Sequence, residues 1–200
     1  VFKIQSNGEN FTQLTFSGNC FYPEWDEAGE RIIYELGFTS PTQFIIMNKD
    51  GVVLDSTLVG VGPGGSWQHD SLIVNGNFRG LFVGNPSSDL YDYEMLSNVE
   101  PNSQSAGGAE WVDDENAIWT HTSGVYSTNV ITQETTLLKE TCNSDYYELP
   151  TFSEQLDKVI LQRKCKTITS REVDNNKGTS TSNLFMMSTD GTDETLIRIN

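Results

Sequence analysis

Basic side chains are scarce in this chain of 200 residues. Twelve Lys and Arg stand against twenty-eight Asp and Glu, a net charge of −16. A surface so short of cations cannot supply the clustered phosphate contacts that DNA or RNA binding needs. Adhesion to an anionic lipid surface is excluded on the same ground. No run of eighteen apolar residues occurs, so no segment reads as a membrane-inserted helix. Histidine is almost missing: His69 and His121 lie far apart and outside any His-x-x-x-His spacing, which leaves little for zinc chemistry. A Gly-x-Ser-x-Gly elbow is also lacking, and the stretch Gly60-Val61-Gly62-Pro63-Gly64-Gly65 has no Lys to serve a phosphate loop, so it reads as a linker. These absences together predict a chain that does not catalyse a reaction by itself and carries no resident cofactor.

Helical periodicity is the last thing missing. No segment of twelve residues keeps a 3.6-residue apolar period, while short alternating and β-branched runs recur throughout. One run has the form Pro23-Glu24-Trp25-Asp26-Glu27-Ala28-Gly29-Glu30-Arg31-Ile32-Ile33-Tyr34, and after a loop comes Phe44-Ile45-Ile46-Met47-Asn48-Lys49-Asp50-Gly51. That is an aromatic anchor, an acidic turn, a strand, and a second strand ending in an Asp-Gly turn. Pro150-Thr151-Phe152 through Leu161 repeats the first half in character, and Leu184-Phe185-Met186-Met187-Ser188-Thr189-Asp190-Gly191 repeats the second. Looser copies begin at Trp67 and Trp111. The anchors Trp25, Trp67, Trp111 and Phe152 are 42, 44 and 41 residues apart. A period near forty with several short strands per unit predicts a radial or stacked array, because a single small sheet cannot cover both of its faces.

Tyr22-Pro23-Glu24-Trp25-Asp26-Glu27-Ala28-Gly29-Glu30-Arg31-Ile32-Ile33-Tyr34, the later Ile46-Met47-Asn48-Lys49-Asp50-Gly51 and the Leu14-Thr15 pair before them resemble the TolB-type, WD-like propeller repeat. The resemblance implies an all-β, propeller-like array of about four four-stranded blades plus an N-terminal half-blade. The units run approximately over residues 16–58, 59–97, 98–141 and 142–200, with 1–15 as the tail half of a preceding blade. It also implies an extracellular or periplasmic setting and a binding or scaffolding role toward a protein partner. Two other readings stay open: a self-assembling subunit of a surface or filament structure, and the propeller of a larger peptidase or polysaccharide-active enzyme. The chain opens at Val1 without an initiator Met and reads as a mature or excised piece of a longer product.

Individual residues weigh less than the pattern. Asp174, Asn176, Gly178 and Ser180, in a long polar loop, have the alternate-oxygen spacing of a calcium loop but no bidentate Glu at the usual distance. The Asp-Gly steps at Asp50-Gly51 and Asp190-Gly191 lie between apolar strands and predict hairpin turns rather than cation loops. Asp26-Glu27 and Asp113-Asp114-Glu115 follow their anchors and are expected to cap strand starts. The anchor aromatics are expected to pack between units rather than to line a sugar-binding surface, with Trp119 outside that register. Cys20, Cys142 and Cys165 are an odd set that leaves open either one bridge, such as Cys142 with Cys165, or three ordinary thiols.

Overall fold

The computed structural model describes residues 1–16, 18–37, 42–59, 65–68, 71–76, 80–85, 93–97, 107–141, 146–167 and 179–197. All regular elements among them are strands. A hairpin of β1 (Phe2–Lys3) and β2 (Thr12–Gln13) comes first. Sheet one follows with β3 (Cys20–Trp25), β4 (Arg31–Leu36), β5 (Thr42–Asn48) and β6 (Val53–Val59). The second sheet holds β7 (Gly65–Gln68), β8 (Ser71–Gly76), β9 (Gly80–Gly84) and β10 (Glu94–Ser97). Sheet three is β11 (Ala109–Trp111), β12 (Asn116–His121), β13 (Gly124–Asn129) and β14 (Thr135–Glu140), and sheet four is β15 (Tyr146–Ser153), β16 (Lys158–Thr167), β17 (Thr179–Met187) and β18 (Thr195–Leu196). Each of these four is an antiparallel meander, its strands paired in chain order. The anchor segment is itself the first strand of its sheet, where the sequence pattern suggests only a lead-in to the strands.

Antiparallel sheets commonly keep one face wet. Here β4, β5 and β12 are buried on both faces. On β4 and β5, Ile32, Tyr34, Ile45 and Met47 pack with Leu14 and Val1 of the hairpin segment, while Ile33, Phe44 and Ile46 pack with Trp67 and Tyr93 of the second sheet. On β12, Ala117 and Trp119 meet Leu81 and Leu96 of sheet two, and Ile118 meets Tyr147, Val159, Leu161 and Met187 of sheet four. The period-two alternation that usually separates core from solvent here separates one neighbour from the next. A fully buried Ile, Leu or Met contributes about 1.5–3 kcal/mol, so these interfaces are the main source of cohesion. Trp119, fully buried, stacks on Tyr126 with centroids 4.9 Å apart and donates its indole N–H to Thr128 at 2.9 Å. It is a core residue, with no surface to offer a sugar.

Turns lock the stack. Gly51 and Gly191 adopt φ of 86° and 84° and donate to Asn48 O and Ser188 O, so both Asp-Gly steps are hairpin turns. A Cβ on Gly191 would stand 2.5 Å from the Leu138 carbonyl oxygen on β14, and one on Gly51 would stand 3.0 Å from that of Leu14, just past β2. The hairpin therefore meets sheet one as the outer strands of sheet three meet sheet four. No inner strands accompany the hairpin among the described residues, and this is where one expectation fails. Trp67 and Trp111 are buried between sheets and Phe152 packs in the third interface, but Trp25 is 40% exposed because nothing described covers it from the hairpin side.

Candidate binding channel

The first strands β3, β7, β11 and β15 converge, and their anchors Trp25, Trp67, Trp111 and Phe152 wall a cavity of about 800 Å³. Local backbone geometry aims what comes before each anchor. Three residues ahead of Trp25 is Tyr22 at φ 49°, ahead of Trp111 is Gly108 at φ 124°, and ahead of Phe152 is Leu149 at φ 49°. Strand register shifts between Phe21 and Glu24 and between Glu148 and Thr151. These bulges bend the strand and re-aim its side chains, a device found next to functional sites. Gly108 is required: a Cβ there would come within 2.7 Å of Pro150 Cδ.

The residue immediately before each anchor lines a cavity at these inner strands. In chain order these are Glu24, Ser66, Glu110 and Thr151. Glu24, Ser66 and Glu110 line the wide cavity; Glu24, Glu110 and Thr151 line a narrower one of about 230 Å³ on the other side, with Tyr22, Leu149 and Pro150. Glu24 and Glu110 thus mark the throat between the two. Burial raises Glu24 to about 7. For Glu110, burial and then the nearby Glu24 charge raise it to about 8, against the pull of hydrogen bonds from the Ser66 hydroxyl and the Phe152 backbone N–H. The indole nitrogens of Trp67 and Trp111 in the walls are buried with no acceptor among the described residues. Exposed Glu27, Asp113, Asp114, Glu115 and Glu154 form the rim of the wide cavity, and no Lys, Arg or His lines it among the described residues.

The acidic turns divide their labour. Asp26 Oδ1 accepts from the backbone N–H of Glu30 at 2.8 Å and of Arg31 at 2.9 Å, and its Oδ2 accepts from Arg31 Nε at 2.8 Å. Burial works to raise its carboxyl, but these bonds win and hold it low. Arg31 in turn lies over the Trp67 ring, 4.6 Å from the centroid, tying sheet one to the anchor of sheet two. Asp113 likewise accepts from Glu115 and Asn116 N–H. Asp114 instead reaches Gln68 Nε2 at 3.0 Å across the rim.

The other residues singled out in the sequence fall elsewhere, and among the described residues no group of three or more His, Cys, Asp and Glu is arranged to hold a metal ion. Asp174, Asn176 and Gly178 lie outside the described residues; Ser180 sits on β17 opposite Lys166. His69 and Cys142 are also outside them. Cys20 packs beside Ile32 and Tyr34. His121 is buried at the end of β12, its Nδ1 2.8 Å from Ser123 Oγ, which is 2.7 Å from the Tyr126 hydroxyl. Burial lowers its basicity. The axial ring is absent from the expectations drawn from sequence, although a signal for it exists: one position before each anchor, polar in all four copies.

Sheets stacked around a common channel, with the first strand of each innermost, define a β-propeller. The fold is that of TolB-like and WD-like propellers. It is similar to TolB from Acinetobacter baumannii (TM-score 0.61, 16% identity over 95% of this chain and 57% of that one) and to a putative TolB from Agrobacterium tumefaciens (TM-score 0.67, 10% identity over 98% and 72%). The WD40 domain of Toxoplasma gondii coronin is a further similar structure (TM-score 0.52, 9% identity over 92% and 60%). The chain therefore spans little more than half the length of the first of these. No family model matches the sequence, and no curated protein does.

Proposed function

We propose that this chain is a non-catalytic, extracytoplasmic binding module that takes a basic segment of a protein partner into the wide mouth of its channel. The observation that carries the reading is the mouth itself, walled by four large aromatics and rimmed by five exposed carboxylates with no described cation among them. Aromatic walls offer rigid apolar area at low entropic cost, and an acidic rim steers a cationic partner and orients it. Fold alone would not support this, since propellers host many functions. The test is selection of a displayed peptide library on the chain and on a variant with Glu27→Lys, Asp114→Lys and Glu154→Lys. Enrichment of Lys- or Arg-containing peptides with an aromatic or aliphatic neighbour, lost on the variant, is expected. Equal recovery on both proteins would sink the reading.

A further inference from the structure

All four inner strands meet at one carboxyl group. Glu110 of β11 takes hydrogen bonds from Ser66 on β7 and from the Phe152 backbone on β15, and senses Glu24 on β3. Glu24 itself has no hydrogen-bond or ion-pair partner among the described residues, and both glutamates border the wide and the narrow cavity. We propose that Glu24 and Glu110 form a proton switch in the throat, uncharged when protonated, and an anionic seat for one guanidinium or ammonium group of the partner when deprotonated. This rests on the channel-mouth reading above and adds its regulation.

The surroundings set the direction of the switch. From β3 and the turn after it the titratable neighbours are Tyr22 and Glu27; from β4, Glu35, whose charge reaches Tyr22; from the turn after β11, Asp113, Asp114 and Glu115; from β15 and the turn after it, Glu148 and Glu154. Strand β7 presents Ser66, Trp67 and Gln68, none of which titrates in this range. Glu148 is paired with Lys164 of β16, whose charge reaches Tyr22. Among the described residues the nearby cations are this lysine and Arg31, and both are already engaged, Arg31 by Asp26 and the face of Trp67. A proton is thus the simplest neutraliser of two carboxyls in a shared, partly dry space. Burial keeps the pair protonated into the neutral range, with Glu24 at about 7 and Glu110 at about 8. The window of the switch falls around pH 7 to 8, where a modest change in acidity resets the throat.

The experiment is carbon-13 NMR of glutamate carboxyls in the whole chain, titrated from about pH 5 to about pH 10 with and without methylguanidinium chloride. Two carboxyl signals are expected to titrate above about pH 6, one lost in Glu24→Gln and the other in Glu110→Gln. Methylguanidinium is expected to shift the same two signals, with an apparent affinity at least about tenfold higher at pH 9 than at pH 6. Titration of every glutamate below about pH 6 would overturn the proposal. So would a methylguanidinium response that is absent, equal at the two pH values, or retained in the double variant. Should Glu110→Gln fail to fold, the wild-type titration and Glu24→Gln decide. None of these signals depends on a partner, so failure of the peptide selection would remove the binding reading while leaving the switch standing.

Discussion

A tryptophan at the same repeat position has two different fates in this molecule. Trp67 is 4% exposed in the interface with Ile33, Phe44 and Ile46, whereas Trp25 is 40% exposed. Trp67→Ala is expected to cost about 3–5 kcal/mol and Trp25→Ala under about 1 kcal/mol, read as a difference in urea midpoints. Asp26 gives a second contrast. Its replacement by Ala strands the N–H groups of Glu30 and Arg31 and releases Arg31 from its seat on Trp67. A loss of about 1–3 kcal/mol is expected in the same assay. The four-fold anchor pattern, the acidic turn and the Asp-Gly turns are all readable in the sequence, because each is a local preference that the fold respects. The bulges are not. Tyr22 and Leu149 each precede a proline, a position that favours extended backbone, yet both take positive φ. Tertiary packing overrides the local rule at the two places that aim Glu24 and Thr151, and no propensity reveals that.

Among the elements, the hairpin turns at Gly51 and Gly191 press against neighbouring strands. Gly29 and Gly191 both have positive φ, 67° and 84°, but a Cβ on Gly29 meets nothing within 4 Å while one on Gly191 runs into Leu138. Alanine at either costs about 1–2 kcal/mol for the left-handed backbone. Gly191→Ala is expected to lose a further 1–3 kcal/mol, roughly, by forcing sheets three and four apart. Thermal melts of the two variants side by side check this. The same kind of turn contact recurs between Gly51 and Leu14 at the end of the hairpin. In the sequence, the Asn7-Gly8 turn and the Leu14-Thr15 pair mark this hairpin. What they cannot show is that Trp25 is left 40% exposed, since exposure is a property of the neighbour and not of the residue.

For the whole molecule, opposed titrations set the stability profile. Folding holds Asp26 and Asp113 low, burial being outweighed by backbone and side-chain hydrogen bonds, and Glu194 low through Lys139 and Tyr147. Their contributions are present above the ordinary values of 3.8 and 4.5 and are lost as pH falls through the depressed folded values. Glu24 and Glu110 act in the other sense. The folded chain keeps protons that the unfolded chain releases above 4.5, so their contribution declines as pH rises through about 7 and about 8. Stability is therefore expected to peak near about pH 4.5, to fall steadily from there to about pH 8 and to level off above it, with a smaller fall in Glu110→Gln. Calorimetry across that range checks both limbs.

In chain order the four axial positions read carboxyl, hydroxyl, carboxyl, hydroxyl: Glu24, Ser66, Glu110, Thr151. The two hydroxyls do not share a level, since Ser66 borders the wide cavity and Thr151 the narrow one, with the two carboxyls bordering both. A guest bearing a single positive point finds its charge partner there but takes its orientation from contacts farther out. Selectivity for a particular guest then resides in the unlike loops of the rim, while the axis supplies little more than a preference for charge.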